Sequence, residues 1–152
     1  MTRLEKERYD PISSDYLRGG YRTDEFELTS VLLQEDRIIG SVKVETFFPP
    51  MDGEFHLSVP LAMIWLMQLG TIYSFLDIDA IRKDREVYLR DFSVKCRSRI
   101  VNLSDILLEL KVTGRAERAG RHIFQSEYDI DVGSFTGRMS WFMDTKSFDK
   151  GA

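Results

Sequence analysis

Apolar and polar positions divide this chain into a strand pair, one long apolar helix and a further run of strands. From 26 to 34, Phe26, Leu28, Ser30 and Leu32 alternate with Glu27, Thr29, Val31 and Leu33. This period of two predicts a strand with one mostly apolar face. Glu35 and Asp36 make a turn, and Ile38–Phe47 continues as a second strand, with Ile38, Val42 and Val44 apolar and Lys43 and Glu45 polar. Pro49-Pro50 ends it, because proline cannot donate to a strand ladder. From Leu57 to Leu76 no side chain is charged. A helix is predicted to begin near Ser58, a fair N-cap, with Pro60 in the first turn, where its missing N–H costs nothing. Strands are predicted at about Val87–Ile100, Asp105–Glu117, His122–Val132 and Gly137–Met143, with a hairpin turn at Ala119-Gly120. Ahead of the first strand, 11–19 is expected to form a short helix, started by Pro11 and stopped by Gly19-Gly20.

One helix cannot cover both faces of so many strands, so the sheet must curl around it. The outer face is then solvated or paired with a second subunit. Exposed strand edges and Trp141 favour a dimer. The uncharged stretch is long enough to span a bilayer. However, Pro60, Gln68 and Gly70 lower its hydropathy, Asp77 and Asp79 follow at once, and no Lys/Arg cluster flanks it. A helix enclosed by protein is the better reading.

The 152 residues suit one domain with a sizeable core. A net charge of −4 without a basic block argues against nucleic acid as a partner. The single Cys96 allows no internal disulfide and fits a reducing, cytoplasmic compartment. Two His and one Cys, far apart, give no metal-ligand spacing. The charged start MTRLEKERYDP is not a signal peptide. Both ends, Met1–Glu7 and Lys146–Ala152, are expected to fray.

The candidate chemistry gathers where the helix begins. A helix N-terminus presents free amides and a partial positive charge, able to polarise a carbonyl and hold an oxyanion. The amides of Leu57, Ser58 and Val59 are therefore the expected electrophilic centre. His56 stands immediately before them, and an imidazole ordinarily titrates near pH 6.5, suited to proton transfer at neutral pH. Its bland alternative is a loop His that caps the helix. Glu54 could orient the imidazole or act through water, or simply be solvated. Gln68 is the strongly polar side chain within the helix and must either contact the strands or face an acyl tunnel. Tyr16 and Tyr73 are phenols that could donate to a carbonyl, although aromatics at such places are more often core. Cys96 has no His or acid placed to activate it and reads as structural. Arg90, Lys95, Arg97 and Arg99 make a basic strand that is either a solvated face or a contact for an acidic carrier protein, a pantetheine phosphate or a small carboxylate.

The loop Gly53-Glu54-Phe55-His56 and the helix after it resemble the hotdog dehydratase and thioesterase superfamily. The implied fold is α+β, a curled antiparallel sheet wrapped around one long central helix, over 1–152 with a core of about 16–143. The dehydratase loop has the form G-H-F-P, followed by a carboxylate four residues before a Gln. Here Glu54 stands at that His and Ile64 at that carboxylate, which argues against dehydration. The chain is more similar to the FcoT-like thioesterase family: Tyr16 and Gly20 before the first strand, the G-x-F-polar loop, Gln68 in mid-helix, and Leu89-Arg90 leading to a basic run. Phe48 stands where that family has a second Tyr. The resemblance implies acyl-thioester chemistry on CoA or an acyl carrier protein. A His at position 56 resembles the branch that adds glycine to a 2-enoyl thioester, making β-amino acyl units for isonitrile lipopeptides or macrolactams. Under that reading His56 takes the proton from glycine, the helix amides and Tyr16 hold the charge on the thioester oxygen, and Arg90 meets the glycine carboxylate. No metal or redox cofactor is required, and water in place of glycine gives hydrolysis. The alternatives are a plain acyl-thioester hydrolase and a non-catalytic acyl-chain or carrier-protein binder. The expected partners are an acyl thioester, glycine and a second copy of the chain, with no nucleic acid and no membrane.

Overall fold

The computed structural model describes residues 6–146. The expected fraying of the ends falls mostly outside that range. Two short helices, α1 (Lys6–Tyr9) and α2 (Asp15–Arg18), each followed by a 3-10 turn, precede strands β1 (Glu25–Gln34) and β2 (Arg37–Thr46). The long helix α3 (Val59–Asp77) comes next, then β3 (Val87–Cys96), β4 (Ile106–Arg118), β5 (Arg121–Ile130) and β6 (Phe135–Asp144). The six strands form one antiparallel sheet in the order β1-β2-β4-β5-β6-β3. The sheet curls around α3, as expected: the architecture is the hotdog fold.

Helix α3 is apolar almost all round because the concave face encloses it. Leu61, Trp65, Leu66, Leu69 and Tyr73 are buried with Ile38 and Val42 of β2, Ile106, Leu108 and Leu110 of β4, and Trp141 and Met143 of β6. Full burial of one such aliphatic side chain contributes about 1.5–3 kcal/mol. The helix has the length and hydropathy of a membrane span, yet its burial is that of a core helix. Ile64 (38% exposed) and Gln68 lie on the face turned away from the sheet. Gly40 and Gly70 let sheet and helix approach: a methyl on Gly40 would meet Leu69 at 3.1 Å, and one on Gly70 would meet Met139 and Trp141 at 3.3 Å.

Four details depart from the sequence reading. First, β1 does not keep its period of two. A bulge between Leu28 and Ser30 shifts the register, so Val31 and Leu33 pair with Gly40 and Ile38. Those partners continue the face of Phe26 and Leu28, yet Val31, Leu32 and Leu33 are all exposed, at 37%, 63% and 51%. Second, β3 stops at Cys96 and not at Ile100. Arg97 N–H donates to the Ser134 carbonyl, and the chain then dives so that Ile100 is fully enclosed. Third, 11–19 is not one helix. Ser14 accepts from Leu17 N–H and starts α2, separating it from the 3-10 turn Asp10–Ile12. Fourth, Trp141 gives no support for a dimer, since it is buried with its indole N–H donated to Ser74 Oγ at 2.7 Å.

Candidate active site

Thr46 ends β2, and residues 47–58 return the chain to the start of α3. That return and the α2 segment enclose a cavity of about 850 Å³. Its apolar side is Pro11, Ile12, Phe47, Phe48, Pro49, Pro50, Met51 and Phe55. The polar groups in it are Ser13, Ser14, Asp15, Tyr16, Asp24, His56 and Ser58. Among the described residues no Lys or Arg lines it. A shallower polar groove of about 620 Å³ lies across β3, β5 and β6, with Asp91, Gln125, Glu127 and Arg138 along it. It touches no helix terminus.

The helix end is built from several hydrogen bonds. Ser58 caps α3 through Oγ, which accepts from Leu61 N–H at 3.3 Å, and its carbonyl accepts from Ala62 N–H at 2.9 Å. Pro60, in the first turn, has no N–H to offer. Leu57 N–H donates to the Ile100 carbonyl at 2.9 Å, so that amide is consumed by the fold and is not available to a ligand. Among the described residues nothing accepts from the Ser58 and Val59 amides, which therefore carry the positive end of α3.

Tyr16 reaches this point from α2. Its hydroxyl donates to Asp24 Oδ2 at 2.7 Å and lies 2.6 Å from Ser58 Oγ. Asp24 Oδ1 accepts from Phe48 N–H at 2.7 Å, tying the start of β1 to the cavity loop. Burial pushes the Tyr16 phenol up to about 12; its hydrogen bond to Ser58 works against this, and the bond and charge of Asp24 add to it. Phe48 packs on Tyr16 with ring centroids 6.2 Å apart. Its ring also covers Gly20, where a Cβ would come within 2.8 Å. Glycine is required there by that close approach.

The other candidates divide clearly. His56 lines the cavity, exposed, and no hydrogen bond or ion pair among the described residues holds it. Phe48, Tyr16 and Ser58 share that cavity. Glu54 is exposed and outside the wall, its N–H bonded to Asp52 Oδ1. Gln68 neither contacts strands nor enters the cavity; it is exposed on the outer side of α3. Arg90 is exposed on β3 at a register shift, its closest charge being Asp91 at 3.5 Å, and it too is outside the cavity. Tyr73 is core, its hydroxyl meeting Arg115. Asp24 escaped the sequence reading. An acidic residue just before a strand looks like a solvated turn, and nothing in its spacing announces Tyr16 or Phe48 as partners.

No protein-family model matches the chain, and no curated protein is significantly similar to it. Solved structures are similar in fold. A mutant form of a thioesterase from Pseudomonas aeruginosa superposes with a TM-score of 0.52 at 12% identity, covering 94% of this chain and 96% of that one. A thioesterase from Haemophilus influenzae gives 0.53 at 9% identity, covering 97% and 96%. At these identities the likeness extends to the fold.

Proposed function

We propose that this chain is an enzyme acting on acyl thioesters, with hydrolysis as its basic reaction. One observation carries the reading: a cavity with one apolar side reaches Ser58, the cap of a buried helix, with an unpartnered His56 in its wall. Thioesterases of the same fold are in accord with it. In this mechanism the acyl chain lies among Phe47, Phe48, Phe55 and Met51, and the thioester oxygen faces the Ser58 and Val59 amides. His56 takes one proton from water as the water oxygen bonds to the carbonyl carbon. The negative charge grows on an oxygen already facing the helix terminus, where preorganised donors are most effective. The C–S bond then breaks, and His56 returns the proton to the departing sulfur. A CoA or carrier-protein thioester serves equally, since the chemistry is confined to the acyl end.

Addition of glycine to a 2-enoyl thioester is the second reading. Asp15 and Asp24 in the cavity wall favour an amine there, and His56 can deprotonate it. Among the described residues no Lys or Arg in this cavity meets the glycine carboxylate, since Arg90 lies elsewhere, so hydrolysis comes first. The free edges of β1 and β3, each with a single neighbour in the sheet, support assembly into a homodimer.

The test is incubation with a medium-chain 2-enoyl thioester, with and without glycine, followed by mass spectrometry. Free acid regardless of glycine supports hydrolysis; a product heavier by one glycine supports addition. His56→Ala should cut turnover by roughly 10²–10⁴-fold while acyl binding persists. Full turnover by that variant would refute the mechanism.

A further inference from the structure

Asp24, Tyr16 and Ser58 form a chain of hydrogen bonds whose direction can be worked out by exclusion. Asp24 Oδ1 accepts from Phe48 N–H, and an ionised carboxylate only accepts. The 2.7 Å contact at Oδ2 therefore uses the Tyr16 proton. A hydroxyl has one hydrogen, so the 2.6 Å contact between Tyr16 and Ser58 must use the Ser58 proton. Ser58 Oγ in turn accepts from Leu61 N–H. The chain thus runs Leu61 N–H to Ser58, Ser58 to Tyr16, Tyr16 to Asp24, from the positive end of the helix to an anion. Each hydroxyl has spent its only hydrogen, and each keeps one acceptor site.

A thioester carbonyl is itself an acceptor, so these two oxygens cannot bind it. They can bind a donor. We infer that Asp24 is a positioning residue that fixes the polarity of the Tyr16–Ser58 pair, so that the pair holds an O–H or N–H of the attacking nucleophile and leaves the thioester oxygen to the helix amides. The inference rests on the proposed thioester chemistry and reassigns Tyr16 within it, away from the carbonyl donor suggested by sequence. Water or an amine then gives one hydrogen to this pair and the other to His56, which turns its lone pair toward the carbon under attack. A nucleophile without a second hydrogen, such as a thiolate, is not held.

Asp24→Asn tests the polarity while keeping the shape. With the Asn oxygen still on Phe48 N–H, its NH₂ faces Tyr16 and must donate, so the Tyr16 hydroxyl turns and becomes a donor. Two readouts on the full chain follow. For decanoyl-CoA hydrolysis, kcat should fall on the order of a hundredfold with KM within about twofold. For 2-undecanone, an acceptor-only ligand measured by calorimetry, affinity should rise about fivefold, the worth of one added hydrogen bond. Replacing Tyr16 by Phe then frees the Ser58 hydrogen to donate instead, so the rise should vanish only when Ser58→Ala is added to Asp24→Asn and Tyr16→Phe. An unchanged ketone affinity, or a rise that survives the loss of both hydroxyls, overturns the inference. So does a loss of kcat accompanied only by a raised KM and a lower melting temperature, the pattern of a structural tie. If the unmodified protein hydrolyses no thioester, the proposed function fails, and the ketone measurement still decides the polarity.

Discussion

Replacing Ser58 with Ala tests the junction on which the candidate site is built. The hydroxyl makes two contacts, to Leu61 N–H at 3.3 Å and to Tyr16 Oη at 2.6 Å. Losing an N-cap side chain costs about 1 kcal/mol, and a neutral hydroxyl–hydroxyl bond contributes about 1 kcal/mol net. Tyr16 keeps its bond to Asp24, and the Leu61 N–H that loses its acceptor is already counted in the cap cost. The expected loss is about 2 kcal/mol, which for a domain of this size lowers Tm by roughly 4–8 °C. The partner substitution Tyr16→Phe removes the same contact from the other side and also the charge-assisted bond to Asp24, for about 2–3 kcal/mol. Combined, the two should be less damaging than their sum by about 1 kcal/mol, because the shared bond is counted twice. Urea unfolding of the four proteins followed by circular dichroism measures this. A coupling below about 0.3 kcal/mol would mean that the 2.6 Å contact contributes nothing, and that Tyr16 is held by Asp24 alone.

Other expectations concern the sheet and the phenols. Gly137→Ala would set a methyl 1.9 Å from the Ser93 carbonyl and 2.7 Å from the Tyr128 hydroxyl, so β3 must separate from β6. A loss above about 3 kcal/mol is expected in thermal unfolding, and a variant melting within 2 °C of the parent, on the order of 1 kcal/mol or less, would contradict the register. Tyr16 is held up to about 12, and burial raises Tyr128 as well, with Cys96 adding to it. A phenol whose pKa is higher folded than unfolded contributes stability that is fully present below its unfolded value of 10.0 and is lost as pH rises through the folded value. Melting temperature should therefore fall from about pH 10 upward, and absorbance at 295 nm should show late-titrating phenols. Asp24→Asn should bring Tyr16 down, since both the bond and the charge of Asp24 raise it; an unmoved titration would argue against the contact. Arg85 bridges Asp84 and the carbonyls of Asp144 and Thr145, so Arg85→Ala should lower the melting temperature by loosening the end of β6, with water taking over the solvated Asp84. A change below about 0.5 kcal/mol would show that the link is idle.

What the sequence made legible here follows from which forces are periodic. The strands and α3 were readable because burial on one face, or on all faces, repeats at two residues or persists without charge over many. Where an element departs from its period, the pattern misleads: the bulge after Leu28 reverses Leu32, and the buried Ile100 looks like strand although its backbone has left the sheet. The site was half legible for the same reason. His56 and Ser58 flank a boundary that caps and proline announce, so local rules find them. Asp24 is brought to Tyr16 and Phe48 by the return of β2 and the packing of α2, contacts at separations of 8 and 24 residues that leave no periodic mark. The same distinction explains the fate of Gln68 and Arg90. Residue type alone points to both, yet a polar group on a helix or strand acquires a role only from the face it occupies, and both occupy faces turned away from the cavity. A cavity bearing two carboxylates, one unpartnered His56 and no Lys or Arg among its described lining residues disfavours an anion. That electrostatic selection follows from the folded arrangement, and composition alone does not reveal it: the chain as a whole carries 21 Lys and Arg, none of which lines the described wall.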